Sequence, residues 1–347
     1  MQTREHVITG RALLGRDLIE EDVDIVISGG IIRSIEPCTA TPDRWIVPAF
    51  FNAHTHIADT VAMDLPARGS LAELVKPPDG LKHRILAATP RADLVRGMRS
   101  SIRTMVATGT AGFADFREGG VDGVAALREA AAGLSCRPVI LGREGGEEVS
   151  DGAGISSAHD VENIEDIVRR TRAAGRIVAF HAGEKNRDDI DDALAFEPDL
   201  LVHCTHATDA DLRRIIDMDI PIAVCPRSNW LLGATRSPAH PPITHILELG
   251  GRLFLGTDNV MFVQPDMLQE MAFAATLYRA PPADILRAAI AGAGLTGRSG
   301  FIEEGQKSSI LVIDPERHNL SFTRDIRATI VKRLDSSSIE QNVLNVQ

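Results

Sequence analysis

The chain has no C-x-x-C pair: its four cysteines, Cys38, Cys136, Cys204 and Cys225, are scattered along 347 residues. That excludes a zinc ribbon and a disulfide scaffold, and reduced thiols are the expectation. It has no apolar run long enough to span a bilayer, so no membrane partner is expected. It has no Lys/Arg cluster, and its net charge is -11 with a pI near 5.5. A phosphate backbone needs a basic field, so nucleic acid is excluded as a partner and a small-molecule substrate is expected. The opening "MQTREHVITGRALLG" lacks the basic, apolar and small-residue regions of a secretory signal, and "NVLNVQ" lacks a prenylation box. A cytoplasmic location is the expectation.

What is present is the composition of an ordinary globular protein, 44% hydrophobic and 24% charged with a mean hydropathy of -0.02. The length suffices for one large α/β domain with a small companion built from the chain ends. Both ends read as strands. Residues 6–37 hold short β-rich runs between Gly and acidic turns, and near the far end Ile310 to Ile313 form an apolar run closed by Pro315. Between them, strand-like runs alternate with amphipathic helical segments such as "ADLVRGMRSSIRTMVATG" and "VENIEDIVRRTRAAG", which predicts a parallel sheet covered by helices. The strands are "WIVPAFFNAH", "AGFADF", "RPVILG", "RIVAFHA", "LLVHC", "PIAVCP" and "RLFLGTD", with a further one of little apolar signal at "DGAGISSA". Eight strands so arranged predict a (β/α)8 TIM-like barrel.

Candidate reactive residues fall at the C-terminal ends of these strands, the face where barrel enzymes build their sites. His54 and His56 close the first strand, and a spacing of two puts both side chains on one face, within reach of one ion. His181 ends "FHA", with Glu184 three residues on; His203 ends "LLVH"; Asp258 ends "LFLGTD". Each has a plainer reading: a core histidine, a solvated glutamate, or an aspartate capping the next helix. Their coincidence on one face favours a metal site. His54, His56, His181 and Asp258 are the donor types that suit zinc, and a coordinated water would have its pKa lowered toward about 7. Glu184 stands beside a ligand and is free to move protons.

These motifs, taken in order, resemble the amidohydrolase superfamily, in its single-metal deaminase and chlorohydrolase-type branch, whose members include adenosine, guanine and S-adenosylhomocysteine deaminases. The resemblance runs through "VPAFFNAHTH", "GTAGFADF", "HAGE", "LVHCTH", "CPRSN", "LGTDN" and "EEGQKSSILVIDP". It implies metal ligands His54, His56, His181 and Asp258, an acid/base at Glu184, and a role for His203 in orienting substrate or hydroxide. It also implies a small β-sandwich composed of residues 1–48 and 304–347 beside a catalytic barrel of residues 49–303. No Lys lies between Lys82 and Lys185, so the lysine-bridged binuclear centre of other branches is not expected. The metal is Zn²⁺, one per chain, or Fe²⁺ or Mn²⁺, because these donors accept several divalent ions. Relatives are often oligomers, which leaves a homo-oligomer open.

Further candidates lie around the same mouth. Arg117 and Arg143 follow the second and third strands and either fork to an anionic substrate or pair with Glu118 and Glu144. Arg227, Asn229 and Trp230 follow the seventh, each with a plainer role in solvent, loop shaping or core packing. His206, the other histidine of "HCTH", reads as a loop or helix-start residue, with His203 the one facing the metal. Segment 57–80 resembles the family's lid without its usual aromatic and acidic substrate contacts. The expected chemistry is hydrolytic deamination of an amino-substituted heterocycle of purine, pyrimidine, pterin or nucleoside type. The alternatives are imidazolone-type ring opening, chlorohydrolase chemistry, or a non-catalytic barrel that only binds.

Overall fold

The computed structural model describes residues 5–65, 69–75 and 79–344. Segments 66–68 and 76–78 of the lid-like stretch lie outside the described residues.

The two chain ends build one six-stranded sheet in the order β15-β14-β4-β1-β2-β3. Its strands are β1 (Glu5–Leu14), β2 (Ile19–Ser28), β3 (Ile31–Pro37), β4 (Trp45–Pro48), β14 (Ser309–Ile313) and β15 (Ile339–Leu344). β14 runs antiparallel to β4 with Ile310 opposite Pro48 and Ile313 opposite Trp45, so strands far apart in sequence meet in its centre. Ala12, Val23, Ile25, Ile46 and Ile310 bury one face of it.

The second sheet is parallel and nine-stranded, in the order β12-β11-β10-β9-β8-β7-β6-β5-β13. It comprises β5 (Phe50–His56), β6 (Thr110–Arg117), β7 (Arg137–Gly142), β8 (Gly152–Ile155), β9 (Ile177–Ala182), β10 (Leu200–His203), β11 (Ile222–Val224), β12 (Leu253–Leu255) and β13 (Asp258–Asn259). Segment 253–259 pairs with β11 through Leu253 to Leu255 and with β5 through Asp258 and Asn259, so the sheet curls round into a TIM-like barrel. Ala114, Phe116, Leu141, Val202 and Phe254 belong to one cluster among its strands, while helices such as Arg91–Ala107 cover it with Met98, Ile102 and Met105. Among the described residues no helix is long and apolar enough to cross a membrane.

Three of the expected strands differ in detail. The run "WIVPAFFNAH" serves both sheets, because its apolar residues divide at Ala49 between β4 and β5. The run "RLFLGTD" breaks at Gly256 and Thr257. A Cβ on Gly256 would lie 2.8 Å from the His54 backbone nitrogen, so only glycine lets this segment close against β5. The faint strand at "DGAGISSA" is real but only four residues long. Its apolar signal is weak for a steric reason: a Cβ on Gly154 would stand 2.6 Å from the Phe116 ring, and one on Gly152 2.1 Å from the Ile177 carbonyl.

Candidate active site

The barrel brings the predicted residues together at the C-terminal side of its strands. His54 and His56 end β5, His181 lies in β9, His203 ends β10 and Asp258 opens β13. His54 Nε2 lies 3.1 Å from Asp258 Oδ1 and 3.2 Å from His181 Nε2, and His56 Nε2 lies 3.7 Å from the same Asp258 oxygen. The Phe116 ring stands edge-on to the His54 and His181 rings, 4.6 Å from each centroid. His203 and Asp258 both hold positive φ, 75° and 61°. Neither is glycine, so each conformation costs roughly 1–3 kcal/mol, supplied by the surrounding packing.

The hydrogen bonds of the histidine Nδ1 atoms bear on which nitrogens could meet a metal. His56 Nδ1 lies 3.1 Å from the Phe116 carbonyl and 2.9 Å from Glu118 Oε1, and His181 Nδ1 lies 3.0 Å from the Ile155 carbonyl. Both nitrogens therefore carry the proton and donate outward, which leaves Nε2 lone pairs pointing to the centre. Burial holds the rings neutral at ordinary pH, pushing His54 down to about 4 and His56 to about 3, with His181 lowered too. Burial pushes Asp258 upward, but the His54 hydrogen bond and the neighbouring imidazoles hold it well below the usual carboxylate range. Lone pairs and a carboxylate converging in a buried space fit a divalent cation.

A cavity of about 310 Å³ opens over this centre, and its wall includes Glu184, His203, Lys82 and Arg143. Glu184 is 21% exposed, its Oε1 3.8 Å from His203 Nε2. Burial raises its pKa, with the His203 ring opposing and the Asp258 charge adding to the effect. A carboxyl raised in this way is suited to giving up and regaining a proton. His203 Nδ1 lies 3.1 Å from Asn229 Oδ1, while the Asn229 amide donates to Thr205 Oγ1 at 2.8 Å. Nε2 is the His203 ring nitrogen turned toward Glu184. Ser228 donates to the second Asp258 oxygen at 2.7 Å, leaving Oδ1 toward the histidines.

The remaining candidates are placed differently. Arg143 lines the cavity, its Nε donating to the Gly154 carbonyl at 2.6 Å. Arg117 is buried outside the cavity wall, donating to Glu118 at 2.5 Å and to Asp115 at 3.2 Å. Arg227 points its guanidinium at Glu270, Gln269 and the carbonyls of Gln264 and Asp266. Trp230 donates to the Tyr278 hydroxyl at 3.0 Å. His206 reaches the Ala234 carbonyl, outside the cluster. Asn229 meets the site through His203.

Lys82, Asp59 and Glu118 complete the surroundings. Lys82 Nζ, fully buried, stands 3.0 Å from Asp59 Oδ2 and 2.9 Å from Glu118 Oε1, the oxygen that faces His56. Burial raises the Glu118 carboxyl, but Lys82, His56 and Arg117 together hold it well below its ordinary value. Glu118 was visible as the residue after Arg117 at a strand end; nothing local to Lys82 or Asp59 in the sequence announces their pairing.

Residues 45–341 match the Amidohydrolase family. The chain belongs to that family. This amidohydrolase is 33% identical to a putative aminohydrolase of Methanothermobacter thermautotrophicus over 96% of both chains. It is 25% identical to a 5-methylthioadenosine/S-adenosylhomocysteine deaminase of Pelotomaculum thermopropionicum, over 95% of this chain and 89% of the other. Its fold resembles the crystal structure of an atrazine chlorohydrolase from Arthrobacter aurescens complexed with zinc, with a TM-score of 0.78 at 16% identity, covering 94% of this chain and 90% of that one. Membership makes the protein a hydrolytic enzyme acting on C–N bonds.

Proposed function

We propose that this amidohydrolase is a metal-dependent aminohydrolase that removes the exocyclic amine of a heterocycle and releases ammonia. The observation that carries the reading is the approach of His54 Nε2 to His181 Nε2 and to Asp258 Oδ1, the oxygen that His56 Nε2 also faces, beneath a cavity that Glu184 and His203 line as well. Zn²⁺, one per chain, is the ion proposed, held by His54, His56, His181 and Asp258; Fe²⁺ and Mn²⁺ suit the same donors. When bound, the ion supplies Lewis-acid polarisation and lowers the pKa of water. Asp258 accepts a proton from the attacking water and passes it to the departing amine. Glu184 protonates the ring nitrogen next to the carbon under attack and recovers a proton from the new hydroxyl, so water and amine become lactam and ammonia. His203, held by Asn229, orients the attacking water or hydroxide through Nε2. Arg143 is the proposed substrate contact among the arginines, because it alone of the three lines the cavity. The same reading takes residues 49–303 as the catalytic barrel, and residues 1–48 with 304–347 as the family's small β-sandwich domain.

The scaffold does not by itself choose the bond that breaks. The test is a panel of aminopurines, aminopyrimidines, pterins and their nucleosides offered to the metal-reconstituted enzyme, with ammonia measured and Asp258→Ala as control. Ammonia from one compound and not from the control supports deamination. Chloride from a chlorotriazine, or a ring-opened acid, with no ammonia from the amines, would replace it by the corresponding hydrolysis.

A further inference from the structure

A second cavity, of about 330 Å³, opens at the other end of the barrel, where Phe50 and Phe51 begin β5 and Ser309 begins β14. Its wall holds three cationic side chains, Arg137, Arg298 and Lys307, and among the described residues no carboxylate. In a chain with 48 acidic residues against 37 basic ones, such a wall is unusual. The nearby Glu303 stands outside the wall and accepts from Ser299 at 3.0 Å.

Equivalent positions on the barrel show what sets Arg137 apart. Arg137, Arg176 and Arg252 each stand at the entry to a barrel strand, β7, β9 and β12. Arg176 donates to the Glu147 carbonyl at 2.8 Å, and Arg252 pairs with Asp219 at 3.1 Å. Among the described residues Arg137, which is half-buried, has no hydrogen-bond or ion-pair partner for its guanidinium, and neither does the exposed Arg298. Two guanidiniums left unanswered in one concave site retain up to ten N–H donors and a positive field directed at whatever enters. The Ser309 hydroxyl is likewise uncommitted, whereas Thr296 and Ser299 donate to protein acceptors. The rest of the wall is apolar, with Phe50, Phe51 and Ala293. A Cβ on Gly112 would lie 2.8 Å from the Phe51 ring, so the glycine lets that ring lie against the β6 backbone.

We propose that this cavity is a binding site for a phosphate group, free or carried as a monoester, distinct from the active site. A carboxylate needs one arginine; two guanidiniums match a phosphate dianion, which has the charge and the acceptor oxygens to engage more than one fork. The apolar side of the wall suits the organic part of an ester. Phe51 and His56 are five residues apart on one strand, so the two sites are separated by roughly 16 Å at about 3.3 Å per residue. The proposal does not depend on which C–N bond the enzyme hydrolyses.

The test is calorimetric titration of the metal-loaded enzyme with inorganic phosphate and, separately, phenyl phosphate, which has no amine to hydrolyse, at ionic strength matched with sodium chloride. Arg137→Gln and Arg298→Gln are titrated in parallel, with Arg298→Lys as the conservative variant and circular dichroism to verify folding. Saturable binding that weakens about tenfold or more in each glutamine variant and returns in part with lysine is expected, since each charge-assisted contact is strong. Tighter binding of phenyl phosphate identifies an ester as the natural source, and equal binding identifies the free ion. Absence of binding to the parent enzyme, or unchanged binding in both folded glutamine variants, would overturn the site.

Discussion

The two ends of the barrel handle positive charge in opposite ways. At the catalytic mouth every buried cation is answered from within the chain: Lys82 by Asp59 and Glu118, Arg117 by Asp115 and Glu118. At the opposite end Arg137 and Arg298 share a concave wall that holds no acid among the described residues. The first arrangement fixes geometry, because Glu118 Oε1 also lies 2.9 Å from Nδ1 of His56, a proposed metal ligand. The second leaves its field free for a ligand. Burial explains the difference, since an unpaired ion cannot be kept in a closed interior but can at an open rim.

The largest contrast should come from the chemistry itself. Glu184→Gln is expected to keep its metal content, measured by elemental analysis, while turnover falls by about 10²–10⁴-fold, as for the removal of a proton-transfer group. Loss of metal in that variant would instead make Glu184 a ligand. Next, Lys82→Met should lower stability by about 3–5 kcal/mol in denaturant unfolding, because it strands buried Asp59 and Glu118 without their cation. Adding Asp59→Asn should recover part of that loss; a neutral effect of Lys82→Met would refute the contrast between the two ends.

A smaller effect belongs to the outer helices. Asp211 completes a capping box with Thr208 on helix Asp209–Asp217 and pairs with Arg187 at 2.8 Å. The Arg187 hydrogen bond is the chief cause that lowers its pKa to about 2. Its stabilisation is then full above the ordinary carboxylate value near pH 4 and is lost as pH falls through about 2. Asp211→Ala should cost about 1–2 kcal/mol at neutral pH, with the gap to the parent narrowing in acid unfolding curves. Smallest of all, Arg298→Gln should change unfolding free energy by less than about 0.5 kcal/mol, since the side chain is exposed and unpaired. A large loss there would mean that the charge is structural, and the opposite ends of the barrel would no longer differ.

Much of the site was legible because strand periodicity and strand ends are local. A histidine pair two apart on a strand, and His181, His203 and Asp258 at the mouth ends of others, can be read without knowing what packs against them. The barrel was legible for the same reason, except where one run was divided between two neighbours. "WIVPAFFNAH" looks continuous, and only the pairing of β4 with β14 and of β5 with β6 shows that it serves two sheets. The glycine strand β8 was faint because its small residues answer to Phe116 and Ile177, which are remote in sequence.

The alternation that closes a barrel, and the donor types and spacing at its mouth, could be read from residue order, since both depend on backbone geometry a few residues long. The fold decided most of the partners. It added Asp115 to the Glu118 already adjacent to Arg117, set Arg227 against Glu270 and Trp230 against Tyr278, and left Arg143 in the cavity wall. It gave Asn229 to His203 and brought Lys82 to Glu118. A side chain's charge is written in the sequence, but whether that charge is neutralised or left to meet a ligand depends on which distant groups the fold brings within about 3 Å of it.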